Sequence, residues 1–477
     1  MNSQAPWESG YYRILSIADR PLTAEDEPNL NDLAQGMTDA GPWDSRDLPA
    51  GYTYFGQFVD HDLTFNNSPL DLRPSTDLKE LSNLRSPFLD LDHVYGDGPE
   101  SGRSTQLYYG DAGAERFRIG LTSASDALGL PGGTPDDVPF CGDVPMIGDR
   151  FDLRNTENLI LRQLHVIFLK FHNAVLAKLP EHQNEQGLPP NAENLFAQAK
   201  RLVIWVYQYA VWHDFVMTVT NNRAQQLRIN EACRTEPFHL PVEFALAAFR
   251  FGHSMVRDSY PFNPYHDSSI KTHSDVSLRQ LVNPEGKNAA PLEAEFVLEW
   301  DRFFPLADGH ATAKARKIDT HIADGLLALP TKTLRLFSQP QRSESETQNL
   351  PLRTLLRAAR AQIASGQQAR QDGDFDLSKA LAGDKLLKEV GLTDNTPLWY
   401  YILKEAEVCH QGEKLGDVGS RVVSYTVEKA LQHDPESFLN QQGLDWRPPT
   451  WIIPVNYRSQ ISQLIEFVQA ANSEGTA

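Results

Sequence analysis

Cysteine is nearly absent from this 477-residue chain, which holds only Cys141, Cys233 and Cys409. Three widely spaced thiols make neither a disulfide framework nor a zinc-binding spacing, so a reducing compartment is the default expectation. Runs of Lys or Arg are also missing, and the formal net charge is −19 with a pI near 5.2. That balance repels phosphate backbones and anionic lipid, so no nucleic-acid partner is expected. The opening residues Met1-Asn2-Ser3-Gln4-Ala5-Pro6-Trp7-Glu8 lack the basic and apolar regions of a secretory signal. The expected location is therefore cytoplasmic, or outside the cell by a route without a cleaved signal. There is no uninterrupted apolar run of about 18 residues, the length that would suggest a membrane span. The best stretch, 202–219, is broken by Gln208, His213 and Asp214 and fits a buried helix better. Alternating strand patterns are scarce, and neither repeats nor low-complexity tracts occur.

What the chain has is hydrophobic residues, 40% of its length, enough for a large core. Residues 159–179 carry a helical stripe of Ile160, Leu164, Ile167, Phe171 and Val175 that should end at Pro180. Further helices are expected over 191–220, over 241–257 with Pro241 in the first turn, and over 350–364, 394–406, 418–431 and 460–471. Stretches 123–148, 338–349 and 365–376 read as loops. Length alone favours more than one domain, but no stretch makes a clear linker. The expectation is a mainly α, single large helical domain over 1–477, with long loops and little β. Its motif core would span about 51–367, followed by helical residues 377–471 and a fraying tail, 472–477.

Four segments carry chemistry. In Gly56-Gln57-Phe58-Val59-Asp60-His61-Asp62-Leu63-Thr64, residues Gln57, Asp60, His61 and Thr64 share one helical face. Asp62 is turned about 100° from His61, so one helix can serve two sites. In Ser86-Pro87-Phe88-Leu89-Asp90-Leu91-Asp92, alternating oxygens from Ser86, the Phe88 carbonyl, Asp90 and Asp92 suit a calcium ion, with Asp62 as a further carboxylate. Arg154 and Glu157 stand one turn apart before a helix holding His165 and His172-Asn173. In Phe249-Arg250-Phe251-Gly252-His253, an apolar segment presents a His beside a Gly that removes bulk, as an axial haem ligand requires. Each has a plainer reading alone: a solvated face, an acidic turn, a surface ion pair, a satisfied core histidine.

Together, and in this order, the four segments resemble the animal-type haem peroxidases of the peroxidase–cyclooxygenase superfamily, in a bacterial-type form. The Gly-Gln-x-x-Asp-His-Asp helix, the calcium loop, the Arg-x-x-Glu pair and the Phe-Arg-aromatic-Gly-His segment all match. The resemblance implies haem b and Ca²⁺ as cofactors, with hydrogen peroxide as substrate and a halide, pseudohalide or small organic molecule as donor. His61 would be the distal base, Arg154 the stabiliser of developing negative charge, Gln57 a shaper of the distal pocket, and His253 the iron ligand. Asp60 and Glu157 match residues that form ester bonds to haem in mammalian members. Asp62, Ser86, Phe88, Asp90 and Asp92 would bind calcium. Position 158 is Asn, so the extra methionine–haem link of one mammalian member is not expected.

The chain departs from the family pattern in three places, the first being Ser86 where Thr is usual. The family's Asn-x-x-Arg segment reads Thr354-Leu355-Leu356-Arg357, which predicts a weaker or water-mediated bond to the His253 ring and keeps Arg357 for a haem propionate. Asp92 replaces the usual Ser and adds negative charge that should favour calcium. Three other functions remain open. A fatty-acid dioxygenase of the same superfamily would need Tyr where Arg250 stands. An HD-type metal hydrolase would use His61-Asp62 and recruit His165 and His172. An inactive haem-binding module would keep the fold without the chemistry.

Overall fold

In the computed structural model, residues 7–38, 43–65, 78, 81, 83–101, 107–141, 144–145, 156–183, 185, 187–189, 194–221, 238–270, 273–282, 290–307, 309–330, 348–454 and 459–475 are described. Helices dominate them, and the β structure is five two-stranded ribbons. The first ribbon joins distant chain segments: Trp7–Tyr12 runs parallel to Phe238–Pro241, with Tyr11 opposite Leu240. The Tyr12 hydroxyl lies 3.3 Å from that of Tyr425.

Helix Leu159–His182 passes through the middle of the fold. All its residues from Leu159 to Leu176 are buried. It is long and apolar enough to cross a membrane by length and composition, yet the whole of its apolar window is covered by the rest of the chain. Pro180 does not end it. The ring lies in the last turn, and the helix continues to His182. Asn158 starts it, accepting the Leu161 N–H at 2.8 Å in a side-chain cap.

The helix expected over 191–220 begins at Leu195, capped by Asn194, and changes character at Ala210. Val211–Val216 forms a π-helix before an α-turn resumes at Met217. The wider turn brings Asp214 to the hydroxyls of Tyr52 and Ser459 and to the Ile461 N–H. The helix expected over 241–257 is two pieces, Val242–Leu246 and a 3₁₀ segment Ala248–Met255, separated at Ala247 (φ −136°, ψ −69°). The loop expected over 365–376 includes a short helix, Gly366–Ala369, and helix Gln460–Ser473 runs two residues past its expected end at 471. The loop expected over 338–349 lies almost wholly outside the described residues, and that over 123–148 partly so.

One apolar cluster runs from Tyr11 to Ala471 and takes in helices from both the motif core and the C-terminal part. Arg162, on the central helix, locks a loop onto it. Its Nε and Nη2 each lie 2.7 Å from the Asp137 carboxylate, with both side chains buried.

A candidate active-site cavity between two histidines

Helix Gly51–Leu63 presents two faces with different tasks. Gln57, Asp60, His61 and Thr64 line a cavity of about 230 Å³, while Asp62 is wholly buried on the other side. Gly56 lets the helix approach the π-helix closely, because a Cβ there would lie 2.8 Å from the Phe215 ring. Phe215 and Phe249 wall the same cavity.

The start of the central helix fixes the distal polar groups. The Asn158 side chain caps the helix with its oxygen and donates its amide to Gln57 Oε1 at 3.1 Å. Gln57 in turn donates to Glu157 Oε1 at 2.5 Å. His61 Nε2 stands 3.7 Å from that same carboxylate oxygen. Gln57 is thereby held at both ends of its amide, with the His61 ring beside it. Arg154, expected in this group, lies outside the described residues.

Asp60 is held differently. Its Oδ2 accepts from Arg250 Nη1 at 2.8 Å, and its Oδ1 accepts from the Thr64 hydroxyl at 2.9 Å. Arg250 thus bridges the distal helix to the 3₁₀ segment carrying His253. Sequence reasoning placed Arg250 in the matched Phe-Arg-aromatic-Gly-His segment and read it as the absence of a tyrosine, but did not foresee its pairing with Asp60. A pairing across 190 positions leaves no local signal.

His253 lines the same cavity. Burial, with Arg250, Arg353 and Arg357 nearby, pushes its pKa down to about 3, so the ring is neutral at pH 7. The Thr354 hydroxyl donates its one proton to the Leu350 carbonyl at 3.1 Å. Toward His253 Nδ1, 3.5 Å away, it can only accept. That arrangement favours the tautomer with the ring proton on Nδ1 and the lone pair on Nε2.

These residues fit the haem that the sequence resemblance implies. A Cβ on Gly252 would meet nothing within 4 Å, so the glycine keeps space open beside His253. Arg353 and Arg357 line the cavity from helix Leu350–Arg360, one turn apart. Arg357 Nε and Nη2 are buried with no hydrogen-bond partner among the described residues. Burial and the neighbouring Arg353 and Arg250 lower its pKa to about 9. A buried guanidinium among other cations calls for anionic oxygens, which propionates supply.

Behind the distal helix is a second polar cluster. Asp62 Oδ1 lies 3.0 Å from His93 Nδ1, and Asp62 Oδ2 is buried with no partner among the described residues. Burial and the Asp92 charge push the Asp62 and Asp90 carboxyls well up. Ser86 and Asp90 hold the loop by accepting the N–H groups of Phe88 and Asp92 at 3.2 and 3.1 Å. Three carboxylates crowded in a buried site fit a divalent cation bound through oxygen. The charge added by Asp92 is not a simple gain, however. Arg85 Nη1 sits 3.2 Å from its Oδ1, and Lys200 lies near Asp90 and Asp92, its ammonium 4.8 Å from the Tyr95 ring centre. Among the described residues one other group, Glu299, Asp301 and His310, is close enough to hold a metal, but Arg302 already binds Glu299 Oε2 at 2.8 Å.

His61 and Asp62 therefore point into different sites and share no metal position, contrary to what the hydrolase reading requires. His172 is bonded to the Tyr95 hydroxyl at 3.1 Å, and His165 is fully buried with its pKa lowered to about 3.

Comparison with known proteins follows the geometry. The sequence profile described as animal haem peroxidase matches residues 71–346. A peroxidase-like protein of Margaritifera margaritifera is 26% identical over 287 residues, covering 48% of this chain and 34% of that protein. The chorion peroxidase of Aedes aegypti is 27% identical over 222 residues, covering 44% and 26%. The chain thus matches about a third or less of these curated relatives' length. Among solved structures, peroxidase A of Dictyostelium discoideum superposes with a TM-score of 0.58 at 14% identity, covering 95% of this chain and 93% of that one. The fatty acid alpha-dioxygenase of Oryza sativa gives 0.55 at 12% identity, covering 95% and 79%. Both likenesses are of fold.

Proposed function

The chain belongs to the animal haem peroxidase family, and on that premise we propose that it is a haem-dependent peroxidase. It would reduce hydrogen peroxide while oxidising a halide, a pseudohalide or a small organic donor. The observation that carries this reading is one cavity lined by both His61 and a neutral His253.

Bound haem would supply the redox chemistry that cleaves the O–O bond and passes oxidising equivalents to the donor. His253 would ligate the iron through Nε2, with Arg353 and Arg357 meeting the propionates. His61 would take a proton from the peroxide and return it to the departing oxygen. Gln57, clamped by Glu157 and Asn158, would orient a water or anion beside His61. Arg154 would offset the negative charge that develops during cleavage. Asp60 and Glu157 are the two carboxylates available for ester links to haem. Asp62, Ser86, the Phe88 carbonyl, Asp90 and Asp92 would hold calcium and tie the distal helix to its loop.

A dioxygenase acting through a tyrosyl radical shares the fold but not the residue. Three positions before His253 stands Arg250, bound to Asp60, and a guanidinium forms no phenoxyl radical. The test is a visible spectrum of the full chain supplied with haem, before and after one equivalent of peroxide. A Soret band that bleaches and shifts within seconds is expected. A Soret band indifferent to peroxide would leave a haem-binding module, and no Soret band in folded protein would remove the haem reading.

A further inference from the structure

Trp399 stands behind the proximal wall, far along the chain from any of the matched motifs. Its indole is fully buried, and Nε1 donates to the Arg250 carbonyl at 3.0 Å. That carbonyl lies in the 3₁₀ segment Ala248–Met255. In such a helix the carbonyl at i pairs with the N–H at i+3, which here is the position of His253. The same indole lies edge-on to the His253 ring, with centroids 5.9 Å apart and planes at 78°. One side chain thus touches both the backbone turn and the imidazole that the turn carries.

The helix bearing Trp399, Leu398–His410, is firmly seated. Glu405 is fully buried and accepts the N–H groups of Val418 and Gly419 at 3.0 and 3.3 Å. The Tyr400 hydroxyl donates to Asp384 at 3.0 Å, and Lys404 lies 3.1 Å from the same carboxylate. Tyr401 packs so tightly on Gly366 that a Cβ there would overlap its ring. The direct bond to the His253 ring is poor by comparison. Thr354 Oγ1 stands at 3.5 Å, where a hydrogen bond has lost most of its strength.

We propose that Trp399 is a positioning residue for the proximal ligand, holding His253 in an orientation that Thr354 alone cannot enforce. The inference rests on the haem peroxidase reading and assigns the C-terminal helices a part in it.

The test uses the full chain reconstituted with haem and reduced, read by resonance Raman at the iron–histidine stretch. Trp399→Phe keeps an aromatic ring and removes the N–H. The Soret band should persist, while the iron–histidine band broadens and moves to lower frequency. Adding Thr354→Asn in that background should restore a narrow band by giving Nδ1–H a longer-reaching acceptor. Trp205→Phe is the control. It removes another fully buried indole N–H, which donates to the Glu436 carbonyl at 2.8 Å and does not line the cavity. It should lower the unfolding temperature and leave the band in place. An unmoved band in Trp399→Phe overturns the proposal, and so does an equal shift in Trp205→Phe. If Trp399→Phe does not fold, Trp399→Met, which also lacks the N–H, is read in its place: a broadened, lowered band supports the proposal and an unmoved band overturns it. Absence of a Soret band in the parent chain would instead remove the haem reading itself.

Discussion

Replacing Arg357 with Met should push the haem-free and haem-bound proteins in opposite directions. Without haem, the guanidinium has Nε and Nη2 buried and unbonded among the described residues, beside Arg353 and Arg250. Leaving buried donors unmade costs about 1–3 kcal/mol, and crowding by like charges adds to it. Met is similar in length and has no donors, so the variant apoprotein should gain about 2 kcal/mol. Unfolding entropy of roughly 2.1 cal/mol/K per residue then gives a rise of about 2 °C in Tm. With haem, the same substitution loses a charge-assisted bond to a carboxylate, about 1.5–3 kcal/mol, so haem affinity should fall by roughly 10- to 150-fold. The assay is thermal unfolding of apoprotein and holoprotein alongside a Soret titration with haem. A lower Tm for the variant apoprotein would refute the claim that Arg357 awaits an anion. Unchanged haem affinity would refute the claim that this anion is on haem.

His61→Ala should retain the Soret band and slow the reaction with peroxide by about 10²- to 10⁴-fold, measured by stopped flow; an unchanged rate would exclude His61 as the distal base. A calcium chelator should lower the Tm of the parent chain but not of Asp62→Asn, because a ligand at 100 times its Kd contributes about 2.7 kcal/mol that the variant never had. Equal chelator effects on both would remove Asp62 from the cation site. Glu243 accepts the N–H groups of Ile14 and Leu15 at 3.2 and 3.1 Å, and burial raises its pKa from 4.5 to about 7. The folded chain binds that proton more tightly than the unfolded one, so the contribution is full below about pH 4.5 and is lost as pH rises toward 7. The hydrogen-exchange protection of residues 11–15, corrected for the intrinsic base-catalysed rate, should fall between pH 5 and 7 in the parent chain and stay level in Glu243→Gln. A parallel change in both would rule out Glu243 as the cause.

The distal helix was legible because its information is local. A period of 3.6 residues places Gln57 and His61 on one face and Asp62 on another, and Gly51–Leu63 folds as that period requires. The segment around His253 was legible in composition but not in geometry. Its apolar spacing fits an α-helix, while packing breaks it at Ala247 and tightens the rest to 3₁₀. Asp92 read as added charge for calcium because Arg85, its partner in space, looks like any other arginine in sequence. The same limit hid Arg250 and Trp399, whose partners Asp60 and Arg250 lie 190 and 149 residues away. Strand pairing was invisible for a related reason. Trp7–Tyr12 shows no alternation and finds its neighbour at Phe238–Pro241.

That ribbon also sets a timetable. During synthesis the strand Trp7–Tyr12 emerges well before Phe238–Pro241 and has nothing to pair with until that segment has left the ribosome. The contact between Tyr12 and Tyr425 waits for another chain segment altogether, 413 residues downstream. At about 5–20 residues per second, that wait is roughly 20–80 s. Until Phe238–Pro241 arrives, a strand edge with two tyrosines that end up buried is open to any other nascent chain nearby. A strand made long before its partners is thus among the last parts to be finished, and a holdase chaperone would find a long-lived target there.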